Sequence, residues 1–201
     1  MTFIPINRRA SFRLVAFGAV AAMLSACGGQ AVLEPKALTA DWIPLKLAVS
    51  SIDIADNSVV EQDASFITRR RADELRDATQ GYLAKRYQAA GGDVLAKIAI
   101  QEARLVEREL PLTEGLSGLF KSEPAAEIDG VLSVRITIVD VLGLEQGFAQ
   151  ARVSGARTVG ETASVITKDA AAKELMGSLI DEMDQSLRQA LDEHLGNYLT
   201  F

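Results

Sequence analysis

A strand-like run, a long helix and a second strand follow one another in this chain, and that order restricts the fold more than any other feature. Two strands of one sheet joined by a helix lie parallel, with a right-handed crossover. Lys46-Leu-Ala-Val-Ser-Ser-Ile-Asp-Ile54 reads as the first strand. Leu47 and Val49 share one parity and Ile52 and Ile54 the other, so a bulge near Ser50-Ser51 is expected to restore one buried face. Asp56-Asn57-Ser58 supplies a turn. A helix is expected to start near Asp63 or Ser65, with Ala72, Leu75, Ala78 or Thr79, Tyr82 and Ala89 as its inward stripe. Gly91-Gly92 is expected to end it, since glycine reaches the left-handed conformation that closes many helices. Val94-Leu-Ala-Lys-Ile-Ala-Ile100 gives the second strand, continuing towards Val106.

The remaining elements follow from periodicity. Leu132, Val134, Ile136 and Ile138 fall on one face of the cleanest alternating run in the chain. Gly143-Leu-Glu-Gln-Gly147 is expected to turn it into a second alternating run, Phe148 to Val159, with Ala149, Ala151 and Val153 inward. A long helix is expected from about Thr167, as N-cap, to Leu195. Ala172, Met176, Leu179, Met183, Leu187, Ala190 and Leu191 form its buried stripe. The order β-α-β-β-β-α predicts an α+β fold: a four-stranded mixed sheet with both helices packed on one face.

Length and composition fit one such domain: 201 residues, 48% of them apolar. A single cysteine and a single histidine leave no material for a disulfide framework or a zinc site of the usual kind. The chain begins with Arg8, Arg9 and Arg13, followed by the apolar run Leu14 to Leu24. That run is too short to span a bilayer, which takes about 20 residues, and reads as the core of an export signal. Residues 28–43 show no apolar period and read as a tether, with a reach of roughly 50 Å if extended. Trp42-Ile43-Pro44 marks where the chain docks onto the folded body. Domain boundaries are therefore expected at 1–26, 27–43 and 44–201. Without residues 1–26 the chain loses three arginines and no acids, leaving 18 basic against 27 acidic residues, a net charge of −9. Such a balance disfavours binding to phosphate backbones, and no nucleic-acid partner is expected.

The segment from Glu109 to Glu127 is far longer than the usual hairpin link and carries Leu110, Leu112, Leu116, Leu119 and Phe120. Two readings stand: a loop that folds back over the core, or a flap that binds a protein partner or touches a membrane. Arg69-Arg70-Arg71, followed by Asp73, Glu74 and Asp77, reads as a solvated, charge-paired helix face. His194 reads as a cation at a helix C-terminus. Asp53, Asp56, Asp129 and Asp140 fall at expected strand ends, where turn chemistry alone attracts aspartate. No phosphate-binding glycine loop, metal-ligand spacing or activated nucleophile is present, so neither a cofactor nor a catalytic residue is expected.

Leu24-Ser25-Ala26-Cys27, with the charged and apolar segments before it, resembles the bacterial lipobox. The resemblance implies diacylglycerol transfer to the Cys27 thiol, cleavage after Ala26 and acylation of the new amino group. Gly28 in place of aspartate implies sorting to the periplasmic face of the outer membrane in a Gram-negative cell. With its tether and element order, the chain resembles the YajG-like small envelope lipoproteins and, more loosely, auxiliary lipoproteins of lipid-transporting ABC systems. That likeness implies a non-catalytic accessory that binds a protein partner in envelope upkeep. The alternative resemblance is to the LptE family of lipopolysaccharide-assembly factors, which also pair two helices with a four-stranded sheet.

Overall fold

The computed structural model describes residues 43–59, 63–110, 124–160 and 162–200. Its central sheet has the order β2-β4-β5-β6, built from β2 (Ser51–Asp56), β4 (Leu95–Glu109), β5 (Pro124–Val139) and β6 (Glu145–Gly160). β2 and β4 run parallel, joined through α1 (Phe66–Arg86), and the other pairings are antiparallel. α2 (Val165–His194) completes the α+β architecture expected from the sequence. Both helices bury their apolar stripes on one face of the sheet. Leu75 and Leu83 of α1 and Leu175, Leu179, Met183 and Leu187 of α2 meet Ile98, Leu105, Leu132 and Ile136 in one core. Leu175 and Leu179 settle over Gly130 and Gly155, which face each other across β5 and β6; a Cβ on Gly130 would sit 2.7 Å from a methyl of Leu179.

A second, three-stranded sheet was not expected. It is ordered β3-β1-β7, from β1 (Leu45–Leu47), β3 (Tyr87–Ala89) and β7 (Leu199–Thr200). The expected first strand is therefore two strands in two sheets, and the predicted bulge at Ser50-Ser51 is a break. The chain folds tightly at Leu47–Val49, where the Val49 N–H donates to the Leu47 carbonyl at 2.8 Å. This bend resolves the parity conflict by moving between sheets. α1 correspondingly stops at Arg86, five residues before the glycine pair, because Tyr87–Ala89 is taken up in parallel pairing with β1. Ala89, expected in the helix stripe, is exposed in β3. Gly91 and Gly92 still need their positive φ values of 94° and 147°, but in the connection to β4.

Three smaller corrections concern boundaries. α2 is capped by Ser164, not Thr167: the Ser164 hydroxyl accepts from the Thr167 N–H at 3.2 Å. The β5–β6 turn is Asp140–Leu144, not Gly143–Gly147. Asp140 Oδ1 accepts from the N–H groups of Leu142 and Leu144, both at 2.9 Å, and Gly143 takes φ 82°. The expected loop from Glu109 to Glu127 loses both ends to the ladder, where Arg108 faces Glu127 and Glu109 faces Ala126. Ladder pairing with a buried Ile128 next to it extends the strands well past the alternation visible in sequence.

Candidate functional site

Contacts between α1 and α2 fix their relative direction. Arg70 reaches Asp169, while Tyr82 and Arg86 reach Asp184. The partners are separated by nearly constant sequence distances, so the helices run parallel and both start at the same end of the sheet. Their positive dipole ends therefore lie side by side, with no acidic residue in either first turn. Compensation comes from elsewhere in the chain. Glu107, near the end of β4, accepts from Arg71 at 3.0 Å and Lys168 at 2.5 Å, and Asp169 accepts from Arg70 at 2.9 Å. Arg71 is 3% exposed. The arginine triplet is thus not a solvated face: Arg69 is exposed, but Arg71 is the buried centre of a cluster joining α1, β4 and α2.

Outside this polar clamp the same end is apolar. Phe66 and Ile67 in the first turn of α1, and Val165 and Ile166 in the first turn of α2, point into solvent, Phe66 at 72% and Ile166 at 82% exposure. Val59 is also exposed. Beside them, β2 ends at Asp56 opposite Ile100, while β4 continues to Glu109. Among the described residues no strand pairs with that far edge of β4, and a small open groove of about 80 Å³ lies there between Val59, Ala64, Thr68, Ala72, Ala103 and Val106. A charge-clamped, rigid platform that presents large aliphatic and aromatic side chains next to an open strand edge is suited to holding a protein segment.

Glu107 makes this end acid-sensitive. Burial raises the energy of its carboxylate, but hydrogen bonds and charge from Lys168 and Arg71 outweigh that and hold its pKa below the ordinary glutamate range. A folded-state pKa below the unfolded value contributes stability above about pH 4.3 that is lost as pH falls through the folded value. Denaturant titrations between pH 6 and 3 are expected to show a steeper acid loss in the native chain than in Glu107→Gln.

The residues singled out from sequence distribute unevenly. Leu110 is half-buried just beyond β4, while Leu112, Leu116, Leu119 and Phe120 lie outside the described residues, as does Cys27. The four aspartates do not converge. Asp56 pairs with Arg76, Asp129 with Arg108, Asp140 caps its turn, and Asp53 is exposed on β2. His194 is exposed at the last residue of α2. Among the described residues no group of three potential metal ligands is assembled, and no helix is long and apolar enough to cross a membrane.

At the other end of the helix pair lies a buried network that sequence reasoning missed. Asp184 accepts from the Tyr82 hydroxyl and from Arg86 Nε at 2.9 Å, and Arg86 also donates to the carbonyl of Ile43. Burial above all, and then the Asp184 charge nearby, pushes the Tyr82 and Tyr87 hydroxyls well above the ordinary tyrosine range, with the Asp184 hydrogen bond adding to the shift at Tyr82, so both stay neutral. Arg86 is held above its usual value by Asp184 despite the opposing effect of burial. The network ties the chain at Ile43 to the end of α1 and to α2 ten residues before its end.

No family model matches this sequence, and no curated protein matches it. Solved structures are similar to it over most of its length. A minor lipoprotein from Acinetobacter baumannii is 16% identical, with a TM-score of 0.37, over 75% of this chain and 95% of that one. A neuraminyllactose-binding hemagglutinin homolog from Helicobacter pylori is 11% identical, with a TM-score of 0.46, over 80% and 93%. The rare lipoprotein B from Shewanella oneidensis is 13% identical, with a TM-score of 0.36, over 70% and 95%. Several of the similar structures are thus bacterial lipoproteins. The overlap is of broad architecture, and what those proteins bind remains a property of theirs.

Proposed function

We propose that this chain is a non-catalytic accessory lipoprotein, anchored by lipid at Cys27 to the periplasmic face of the outer membrane, that holds an envelope protein partner. Partner binding rests on one observation: the exposed first turns of two parallel helices, clamped by buried Arg71 and adjoining a stretch of β4 with which no described strand pairs on that side. Anchoring rests on the lipobox Leu24-Ser25-Ala26-Cys27. Buried acyl chains contribute roughly 0.8 kcal/mol per methylene, so two or three chains hold a protein durably. The partner serves envelope maintenance or lipid transport, in keeping with the YajG-like resemblance.

Two variants test the two halves separately. Cys27→Ala is expected to lose radiolabelled palmitate and move from the membrane to the soluble periplasmic fraction; a Cys27→Ala protein that stays in the membrane would sink the anchor. Phe66→Asp with Ile166→Asp is expected to keep the palmitate but lose crosslinks to the partner made through a photoreactive residue at Val59. Unchanged crosslinks would place the partner elsewhere.

A further inference from the structure

The two margins of the central sheet differ. At one, β2 is 6 residues long and carries exposed acids at Asp53 and Asp56. Short strands and charges are the usual guards of a sheet edge against pairing with another chain. At the other, β6 runs from Glu145 to Gly160 with neither proline nor lysine, and among the described residues nothing pairs with its outer side. From Gly147 to Val159 it follows β5 without a break. Its two arginines do not guard it, because both fold back onto their own chain. Arg152 reaches across β5 to Glu102 of β4, with Nε and Nη2 donating at 3.2 and 3.0 Å. Arg157 donates to the Ala156 carbonyl and to the Ser178 hydroxyl of α2, both at 3.1 Å. What remains along the edge is backbone N–H and C=O groups, which an extended strand satisfies best.

The side chains along the edge select the strand. Phe148, Gln150 and Arg152 lie on the sheet face away from the helices, opposite Thr137, Arg135 and Ser133. Phe148 is 43% exposed, with Arg135 on one side of its ring at 3.6 Å from the centroid, and Gln150 is exposed. A two-fold axis lays β6 antiparallel to itself, and residues opposite each other then share a face. An axis at Arg152 would set two guanidinium groups against each other. An axis at Gln150 pairs Gly147–Val153 with the same residues of a second copy, amide to amide at the centre. Phe148 then faces the second copy's Arg152 on both sides of the axis, a cation–aromatic pair made twice. Read backwards, the triplet is its own complement, which two-fold pairing requires and pairing with another protein does not. We infer that β6 pairs edge to edge with β6 of a second copy about an axis at Gln150, joining two four-stranded sheets into one of eight strands. The pairing uses the margin of the sheet far from β2, and it depends neither on the anchor nor on the partner site proposed above.

The experiment uses the full chain in dodecyl maltoside, with Cys27→Ser in every variant. An introduced cysteine is then the only thiol in the chain. Gln150→Cys sets its Cα opposite the same atom of the second copy at about 4.5–5.5 Å, within the span of a disulfide. Oxidation with copper phenanthroline is expected to convert most of this variant to a covalent dimer on a non-reducing gel. Ser154→Cys lies four residues from the axis, so its thiols are held about 27 Å apart, and it is expected to stay monomeric. Equal dimer from both variants, or none from Gln150→Cys, overturns the inference. As a second measurement, sedimentation equilibrium is expected to give the Cys27→Ser chain the mass of two chains. Adding Gln150→Lys sets two ammonium groups face to face at the axis and is expected to give the mass of one, with circular dichroism and melting temperature showing that the fold is kept. A Cys27→Ser chain that sediments as one, or a Gln150→Lys chain that still sediments as two, overturns the pairing.

Discussion

Replacing Asp184 with alanine is expected to destabilise the domain by about 3–5 kcal/mol, which for a domain of this size lowers the melting temperature by roughly 6–20 °C. The cause is what the substitution leaves behind. Arg86 is 3% exposed and is held between Asp184 and the carbonyl of Ile43. Without the carboxylate it is a buried cation with only neutral partners, and the Tyr82 hydroxyl loses Asp184 as an acceptor. Removing one member of a buried pair costs far more than replacing both with apolar groups. Arg86→Met with Asp184→Leu is therefore expected to recover much of the loss in thermal melts. Recovery marks the loss as electrostatic; a double variant as unstable as the single would assign it to packing around α2.

The second large effect lies at Gly92. Its φ of 147° is a conformation that side chains disfavour, and a Cβ there would approach the backbone carbonyl oxygen of Ala48 to 2.6 Å. The obstacle is main chain, so no rotamer change relieves it. Gly92→Ala is expected to cost about 2–4 kcal/mol from backbone strain and forced displacement together. Gly143→Ala has the strain without the clash, since nothing lies within 4 Å of its Cβ position, and is expected to cost less. Chemical denaturation midpoints of the two variants measure the difference. Equal losses would mean that the Ala48 contact yields without cost.

Periodicity carried the parts of this fold that depend on one face being buried. The alternation at Leu132–Ile138 and the stripe from Ala172 to Leu191 need only a core to point at, and both positions and partners follow. What periodicity does not encode is an interaction between distant polar groups. Arg71 looks like a surface residue because its acids, Glu107 and Asp169, lie 36 and 98 residues away. Asp184 sits at a position adjoining the apolar stripe of α2, and only the neighbouring helix explains it. The small sheet was invisible for another reason: strands of two and three residues have no period to detect. The Asp140 turn is legible in sequence, since an aspartate before Val-Leu-Gly is a turn signal, but Gly143 and Gly147 give a competing signal three residues further on. At the candidate site, the loop leucines stand out in sequence because they fall in a long segment without a period. Phe66, Ile67, Val165 and Ile166 resemble ordinary helix-start residues in sequence, and only the side-by-side placement of two helix starts makes them a surface.

The small sheet has a mechanical consequence. Its middle strand, β1, is the first described element of the chain, and it is bonded on one side to β3 and on the other to β7. Were the chain anchored at Cys27 as proposed, tension on the anchor would enter along β1 and be resisted in shear by both ladders at once. The load passes through β3 into α1 and through β7 into α2, so the two helices share it. The last residues of the chain thereby act as a strain relief for the first: trimming Leu199 and Thr200 leaves β1 clamped on one flank and lets a pulled tether peel it from the body.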